Sequence, residues 1–332
     1  MLLALVLLSL LPFQQEASCP HPVTIPVSVQ DGVHFIRDPD ASSFEIHEGK
    51  KVYQPIRVQL RKEEPIYYAV LIEYSRALPT DPFETGFFRF PWQDVMYEAA
   101  NFVLALTRQV RPQDRIALAT FDVRLRVLSG FTKDRSVVLK EVEDLLNSAG
   151  PSWSESATFD VVRESLWQFE ETAAGKRVVL IVIGTGQNTL SAVTPDDLLA
   201  VVRQSPFYLF FVRIGWQATL RLEQIEESTT GLLVDRRSFL LNQAALQFST
   251  VARASGADGF ELRFVRQAED LAETIALWSE MRHDVTYCTS EPEKSLKLKV
   301  TYLRAISGPE GKPLKLKAIT RDRRVPIPSP GG

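Results

Sequence analysis

The chain has 332 residues, enough to bury a core and to form two domains, and 45% of them are hydrophobic against 24% charged. That balance excludes a disordered or fibrous chain. A formal net charge of -3 gives no electrostatic ground for expecting a nucleic-acid partner.

The first stretch, "MLLALVLLSLLPFQQEASC", is apolar but too short to span a bilayer. Its run into small residues at Ala17 and Ser18 reads as a signal peptide over residues 1–18, and so predicts a secreted or periplasmic protein. Lipid anchoring at Cys19 is disfavoured, because Glu16 stands where a lipobox carries an aliphatic residue. Cys19 and Cys288 are the two cysteines of the chain. Either they pair in an oxidising compartment, or Cys288 is a small buried hydrophobe beyond the reach of Cys19. No later stretch is long and apolar enough for a transmembrane span.

Residues 22–62 carry short strand-like runs, "VTIPVSV", "GVHFI" and "SFEIHEGKKVYQPIRVQL", broken by Asp-Gly, Asp-Pro-Asp and Glu-Gly turns. Across 65–283 strands and helices alternate, which argues for a mostly parallel sheet covered on both faces. "IYYAVLIEY" is nearly continuous in hydrophobicity, as a strand buried on both sides must be. In "WQDVMYEAANFVLALTRQV", Val95, Ala99, Phe102, Val103, Leu106 and Val110 form one helical stripe. The strands "RIALATF" and "RLRVLSGFT" follow, then the helices "DRSVVLKEVEDLLNSA" and "TFDVVRESLWQFEETAA". Next come the buried strands "KRVVLIVIG" and "PFYLFFVRI", on either side of the helix "PDDLLAVVRQS" with its proline in the first turn. An irregular stretch from Gly215 to Leu241 precedes the helix "NQAALQFSTVARASG", the strand "GFELRFV" and the helix "AEDLAETIALWSEMRH". Over 284–324 strands return. "SLKLKVTYL" and "PLKLKAIT" each alternate leucine with lysine, as the two arms of a half-buried hairpin do. The lysines there either solvate an exposed sheet or form a basic docking face. Residues 325–332 read as a disordered tail.

A strand ending in the polar string Glu73-Tyr74-Ser75-Arg76-Ala77, then a long helix, then "KRVVLIVIG" resembles the von Willebrand factor A (VWA) domain. "FEIHEGKKVYQPI", "SGFTKDRSVVLKEVEDL" and "VTYCTSEPEKSLKLKVTYL", in that order, are similar to the VWFA-related proteins described chiefly from acidobacteria. The resemblance covers roughly 22–327. It implies an α/β fold with a doubly wound, mostly parallel, Rossmann-like sheet over 65–283. Strands from the two ends would join beside it in a small β-sandwich.

The resemblance also implies a metal-ion-dependent adhesion site, built in the family from Asp-x-Ser-x-Ser, a later Thr and the Asp of Ser-Asp-Gly. Magnesium favours about six oxygens in a tight octahedron near 2.1 Å. The positions in this chain are Glu73, Ser75, Ser156 (Thr158 if the loop is shifted) and Thr185, with Ala77 in place of the second serine and Asp160 on the following helix. Glu73 is one methylene longer than aspartate, Thr185 removes a second carboxylate, and Ala77 removes a hydroxyl. The site is therefore expected to be degenerate and without cofactor, with Mg²⁺ or Mn²⁺ binding as the alternative. Beside it the loop 80–92 carries Phe83, Phe87, Phe88, Phe90 and Trp92. These either form a lid over the sheet or offer an apolar patch to a protein partner.

The expected function is an exported, non-catalytic, adhesion-like interaction module that binds through this rim. A metal-dependent ligand-binding protein is the second reading and a hydrolase-like α/β enzyme the third. The third lacks a nucleophile elbow, a P-loop and a zinc motif, and His21, His34, His47 and His283 all fall outside the strand-end loops.

Overall fold

The computed structural model describes residues 19–31, 34–61, 63–75, 78, 91–148, 150, 154–217, 220, 236–290, 298–304 and 316–320. The expected signal peptide, most of the loop 80–92 and the tail lie outside them. At the centre is the apolar run Ile66–Glu73 (β5), with every residue but Tyr67 buried. It pairs in parallel with Arg115–Phe121 (β6) on one side and Arg177–Gly184 (β8) on the other. Tyr208–Arg213 (β9) and Gly259–Glu261 (β10) extend the sheet beyond β8, and Leu125–Thr132 (β7) closes the far edge antiparallel to β6. The order β10-β9-β8-β5-β6-β7 is a doubly wound, mostly parallel sheet.

Helices cover both faces because successive strand residues point to opposite sides. Tyr68, Val70 and Ile72 face Pro91–Gln109 (α1), Arg135–Leu146 (α2) and Ala268–Glu280 (α6). Ala69 and Leu71 face the other layer, formed by Thr158–Thr172 (α3), Pro195–Gln204 (α4) and Arg236–Ala254 (α5). The α1 stripe read from the sequence is the buried one: Val95, Ala99, Phe102, Val103 and Leu106 are all fully covered. Helix α4 begins as its sequence predicts. Thr194 and Asp197 exchange hydrogen bonds as a capping box, with Pro195 in the first turn.

A β-sandwich stands at the other end of the strands. Pro22–Gln30 (β1), Pro55–Leu60 (β4), His283–Cys288 (β11) and Lys317–Thr320 (β13) form one sheet in the order β13-β1-β11-β4. Phe44–Glu48 (β2), Lys51–Tyr53 (β3) and Leu298–Tyr302 (β12) form the other, in the order β12-β2-β3. Ile25, Val27, Phe44, Ile46, Val285 and Val300 fill the space between. Glycine is required at Gly49, where the β2–β3 turn takes φ 59°. Cys19 and Cys288 are disulfide-bonded with their Cα atoms 5.6 Å apart, so the open question of their pairing is answered by the sheet that aligns β1 with β11.

Three expectations are corrected. Among the described residues the two Leu-Lys-Leu-Lys segments do not pair as a hairpin: β12 adds to β2 in one sheet and β13 to β1 in the other. Alternation sets which face of a strand is buried, and the open edges of β1 and β2 decide its partner. Among the described residues of "GVHFI", 34–36, Phe35 forms an isolated bridge to Gln30 and not a strand. "GFELRFV" extends only to Glu261, because Gln267 Oε1 accepts from Arg263 N (3.0 Å) and Phe264 N (3.1 Å) and turns the chain into a 3₁₀ turn.

Candidate functional site

The chain leaves β5 toward β6 on one side of the sheet and later returns to place β8 on the other. In an open parallel sheet that reversal leaves a crevice at the carboxyl ends of the two strands. Glu73 ends β5, Gly184 ends β8, and the residue after each is at the rim.

Glu73 turns inward and is fully buried. Its Oε2 accepts from the Thr185 backbone N (2.6 Å) and from Thr185 Oγ1 (2.8 Å). Its Oε1 accepts from Ser75 Oγ at 3.0 Å. A further hydrogen bond joins it to the Ser156 side chain. The longer carboxylate fits because residue 184 is glycine: a Cβ there would lie 2.7 Å from Glu73 Oε2. The four motif positions named from the sequence thus converge on one carboxyl group.

The hydroxyl chain continues past Ser156. Ser156 Oγ lies 2.8 Å from Thr158 Oγ1, and Thr158 Oγ1 donates to the Gln187 carbonyl at 2.9 Å. With the Thr158 proton on that carbonyl, the Ser156 proton serves the Ser156–Thr158 contact. Desolvation raises the Glu73 pKa above its usual range, against the opposing pull of Thr185, Ser156 and Ser75. Glu73 thus heads a chain of hydroxyls, its carboxyl pushed above the usual range by burial.

Of the two positions offered by the sequence, Ser156 is the one that acts on the Glu73 carboxyl, and Thr158 contacts Ser156. Asp160 does not join them. Its carboxylate accepts from Ala192 N (2.8 Å) and Val193 N (2.9 Å), fixing the loop after β8 to the start of α3. Trp92 is corrected from the partner-facing set: it is 7% exposed and its indole lies against Gly150 within the core. It is the second residue of α1, where the helical stripe already points into the sheet. Phe83, Phe87, Phe88 and Phe90 lie outside the described residues, as does Ala77.

Two contributors were not singled out in the sequence. Thr189 clasps Ser156 from both sides, with Ser156 N donating to Thr189 Oγ1 (3.0 Å) and Thr189 N to the Ser156 carbonyl (2.9 Å). Asp122, 1% exposed after β6, binds the Arg126 guanidinium at 2.6 Å and the Arg124 backbone N at 2.9 Å. The carboxylate at the end of "RIALATFD" was the available signal for the second.

The donor set does not suit a divalent ion. A hard dication needs ionised, approachable oxygens. Here the one acid among the motif positions is fully buried and already hydrogen-bonded through both oxygens. Among the described residues, no group of three or more His, Cys, Asp or Glu side chains is placed to hold a metal.

Fold and site together define an α/β protein with a doubly wound sheet, an attached β-sandwich and a sealed carboxyl–hydroxyl cluster at the strand ends. No family model and no curated protein sequence matches the chain. Among solved structures, an aerotolerance-related membrane protein from Bacteroides fragilis is similar over 65% of this chain and 98% of its own, at 14% identity and TM-score 0.43. The conserved hypothetical protein BatB from Bacteroides thetaiotaomicron is similar over 64% and 98%, at 10% identity and TM-score 0.42. Proximal thread matrix protein 1 from the mussel byssus is similar over 74% of this chain and 50% of its own, at 11% identity and TM-score 0.42.

Proposed function

We propose that the chain is an exported, VWA-like interaction module that binds a protein partner through the strand-end rim, without a metal ion and without catalysis. The observation that carries this reading is the sealed Glu73 cluster. The hydroxyls that would ligate a cation instead hydrogen-bond to one buried carboxyl, so the rim is built by the protein's own polar contacts. Recognition then falls to shape and apolar surface, and the phenylalanines of the 80–90 loop are the partner-facing groups.

The same cluster supports a reading without catalysis. A nucleophilic Ser75 needs a base, and the Glu73 carboxyl beside it is buried, has its pKa raised by desolvation and already accepts from Thr185. Export is supported by the Cys19–Cys288 disulfide, since such bonds persist in oxidising compartments.

Calorimetric titration with Mg²⁺ and Mn²⁺ tests the metal-free rim. No saturable heat is expected, and micromolar binding abolished by Glu73→Ala would return the rim to metal-dependent recognition. Capture from the native envelope fraction tests the partner surface. Phe87→Ser with Phe88→Ser should lose the captured protein while keeping the unfolding midpoint, and undiminished capture refutes the loop's role.

A further inference from the structure

Away from the rim site, β10 is an outer strand of the central sheet, and a cleft of about 340 Å³ lies beside it, between β9, β10 and α5. The Phe211 N–H donates to the Asp258 carbonyl (3.3 Å) and the Leu262 N–H to the Arg213 carbonyl (2.8 Å). In a parallel ladder this alternation turns the backbone groups of Phe260 toward β9 and those of Gly259 and Glu261 outward. The Gly259 N–H is taken by Asp258 Oδ1 at 2.8 Å. The Glu261 N–H and the carbonyls of Gly259 and Glu261 remain, and among the described residues no backbone partner faces them. They form an acceptor–donor–acceptor row, which an added strand satisfies through its own backbone.

The cleft supplies a side-chain pocket. The register sets Phe211 beside Gly259, and α5 packs on that face through Phe248, stacked 4.4 Å from Phe211. A Cβ on residue 259 would lie 2.5 Å from Ser249 Oγ on α5, so glycine lets the helix approach and leaves the edge row without a side chain. Leu246, one helical turn earlier and 68% exposed, stands at the mouth. An aromatic side chain on a neighbouring strand covers an edge glycine, and here it also meets Leu246. The ionic groups at the far end are engaged with one another: Glu261 Oε1 accepts from Arg213 Nη1 (3.1 Å) and Oε2 from Arg263 Nε (2.6 Å). An entering charge has to compete with those contacts, whereas an uncharged side chain disturbs none of them.

We propose that the outer edge of β10 and the adjoining cleft bind an extended peptide segment of another protein by strand addition, with an uncharged aromatic side chain of that segment over Gly259 and against Leu246. Backbone pairing supplies affinity and the cleft supplies selectivity. This surface is separate from the strand-end rim and works whether or not the rim binds a partner.

The test titrates the full chain into the fluorescein-labelled peptide acetyl-Thr-Val-Phe-Val-Thr-amide and follows anisotropy. Saturable binding is expected, with the Glu261 amide protected from hydrogen exchange in the complex. Replacing the peptide's Phe by Asp should weaken binding about tenfold or more. Alternate peptide residues are N-methylated in both phases. The phase that blocks the N–H groups facing β10 should cost about tenfold or more, and the other should be tolerated. Leu246→Glu changes an exposed side chain, so folding is preserved, and it should weaken binding by a similar factor. No saturable binding, an exposed Glu261 amide in the complex, equal affinities of the Phe and Asp peptides or of the two methylated forms, or an unchanged affinity in Leu246→Glu overturns strand addition at this edge.

Discussion

Glu73 illustrates how one methylene redirects a site. An aspartate at the end of β5 holds its carboxylate near the strand, whereas the glutamate reaches across to the Thr185 backbone and side chain on the neighbouring strand end. Removing it with Glu73→Ala orphans the buried Thr185 N–H and disrupts the hydroxyl chain, at about 1–3 kcal/mol for each unsatisfied group. A loss of about 3 kcal/mol or more in urea unfolding is expected. Glu73→Gln keeps the shape and a neutral head group, so it should lose about 1 kcal/mol or less. The two also differ in pH dependence. The Glu73 pKa is higher in the folded chain than its ordinary 4.5, so the folded state holds the proton more tightly. Stability from this group is complete below pH 4.5 and is lost as pH rises through the folded-state value. Glu73→Gln removes that descending limb, and stability-pH curves of identical slope for the two proteins would refute the raised pKa. Gly184 reports on the same contact: Gly184→Ala should cost about 1–3 kcal/mol by overpacking against the carboxylate. In a Glu73→Ala background most of that cost should vanish, and additive losses would show that the two positions are uncoupled.

At the scale of elements, the two sandwich sheets are joined by more than apolar packing. Glu48 on β2, 3% exposed, accepts from Tyr287 Oη on β11 (2.5 Å) and from Thr289 Oγ1 just beyond it (2.8 Å). One carboxylate thus links the three-stranded sheet to the four-stranded one. Glu48→Ala removes the buried acceptor that Tyr287 and Thr289 share, with an expected loss of about 1–3 kcal/mol in chemical denaturation. Tyr287→Phe should lose about 1 kcal/mol, since the ring still packs on Tyr53. A Glu48→Ala variant as stable as the parent would show that apolar contacts alone hold the sheets together. The strand-end site has the opposite distribution: its groups come from β5, from the loops after β8 and before α3, and from no single element.

At the scale of the whole molecule, the sandwich and the α/β body share a polar junction. Arg177 at the start of β8 donates to the Arg61 carbonyl (2.7 Å) and to the Ser279 carbonyl at the end of α6. Nε2 of His283 is 2.7 Å from the Arg37 carbonyl, and Phe35 packs on Trp278 at 6.2 Å. The disulfide closes the chain over 269 residues of sequence. Constraining so long a loop in the unfolded state gives about 2–5 kcal/mol of stability. Reduction, or Cys288→Ser, should therefore lower the unfolding midpoint with little change in the folded spectrum. A midpoint unmoved by reductant would mean that β1 and β11 are held by their ladder alone.

Much of this architecture is determined by local chemistry. Continuous hydrophobicity in "IYYAVLIE" requires a strand covered on both faces, and the α1 stripe requires a helix with one buried side. Leucine–lysine alternation settles which face of β12 is inward, because the side-chain period of a strand is two whatever its partner. The partner is another matter. Only the assembled sandwich offers β12 the edge of β2 and β13 the edge of β1, and only the register of β1 on β11 brings the two cysteines together. The identities at 73, 75, 156 and 185 were visible in the sequence as a departure from a metal-binding pattern. What they do was decided by tertiary structure: a carboxyl and a threonine 112 residues apart meet over a glycine that leaves room for them, away from water. Charge and hydrogen-bond direction depend on that burial, and burial is a property of the folded chain.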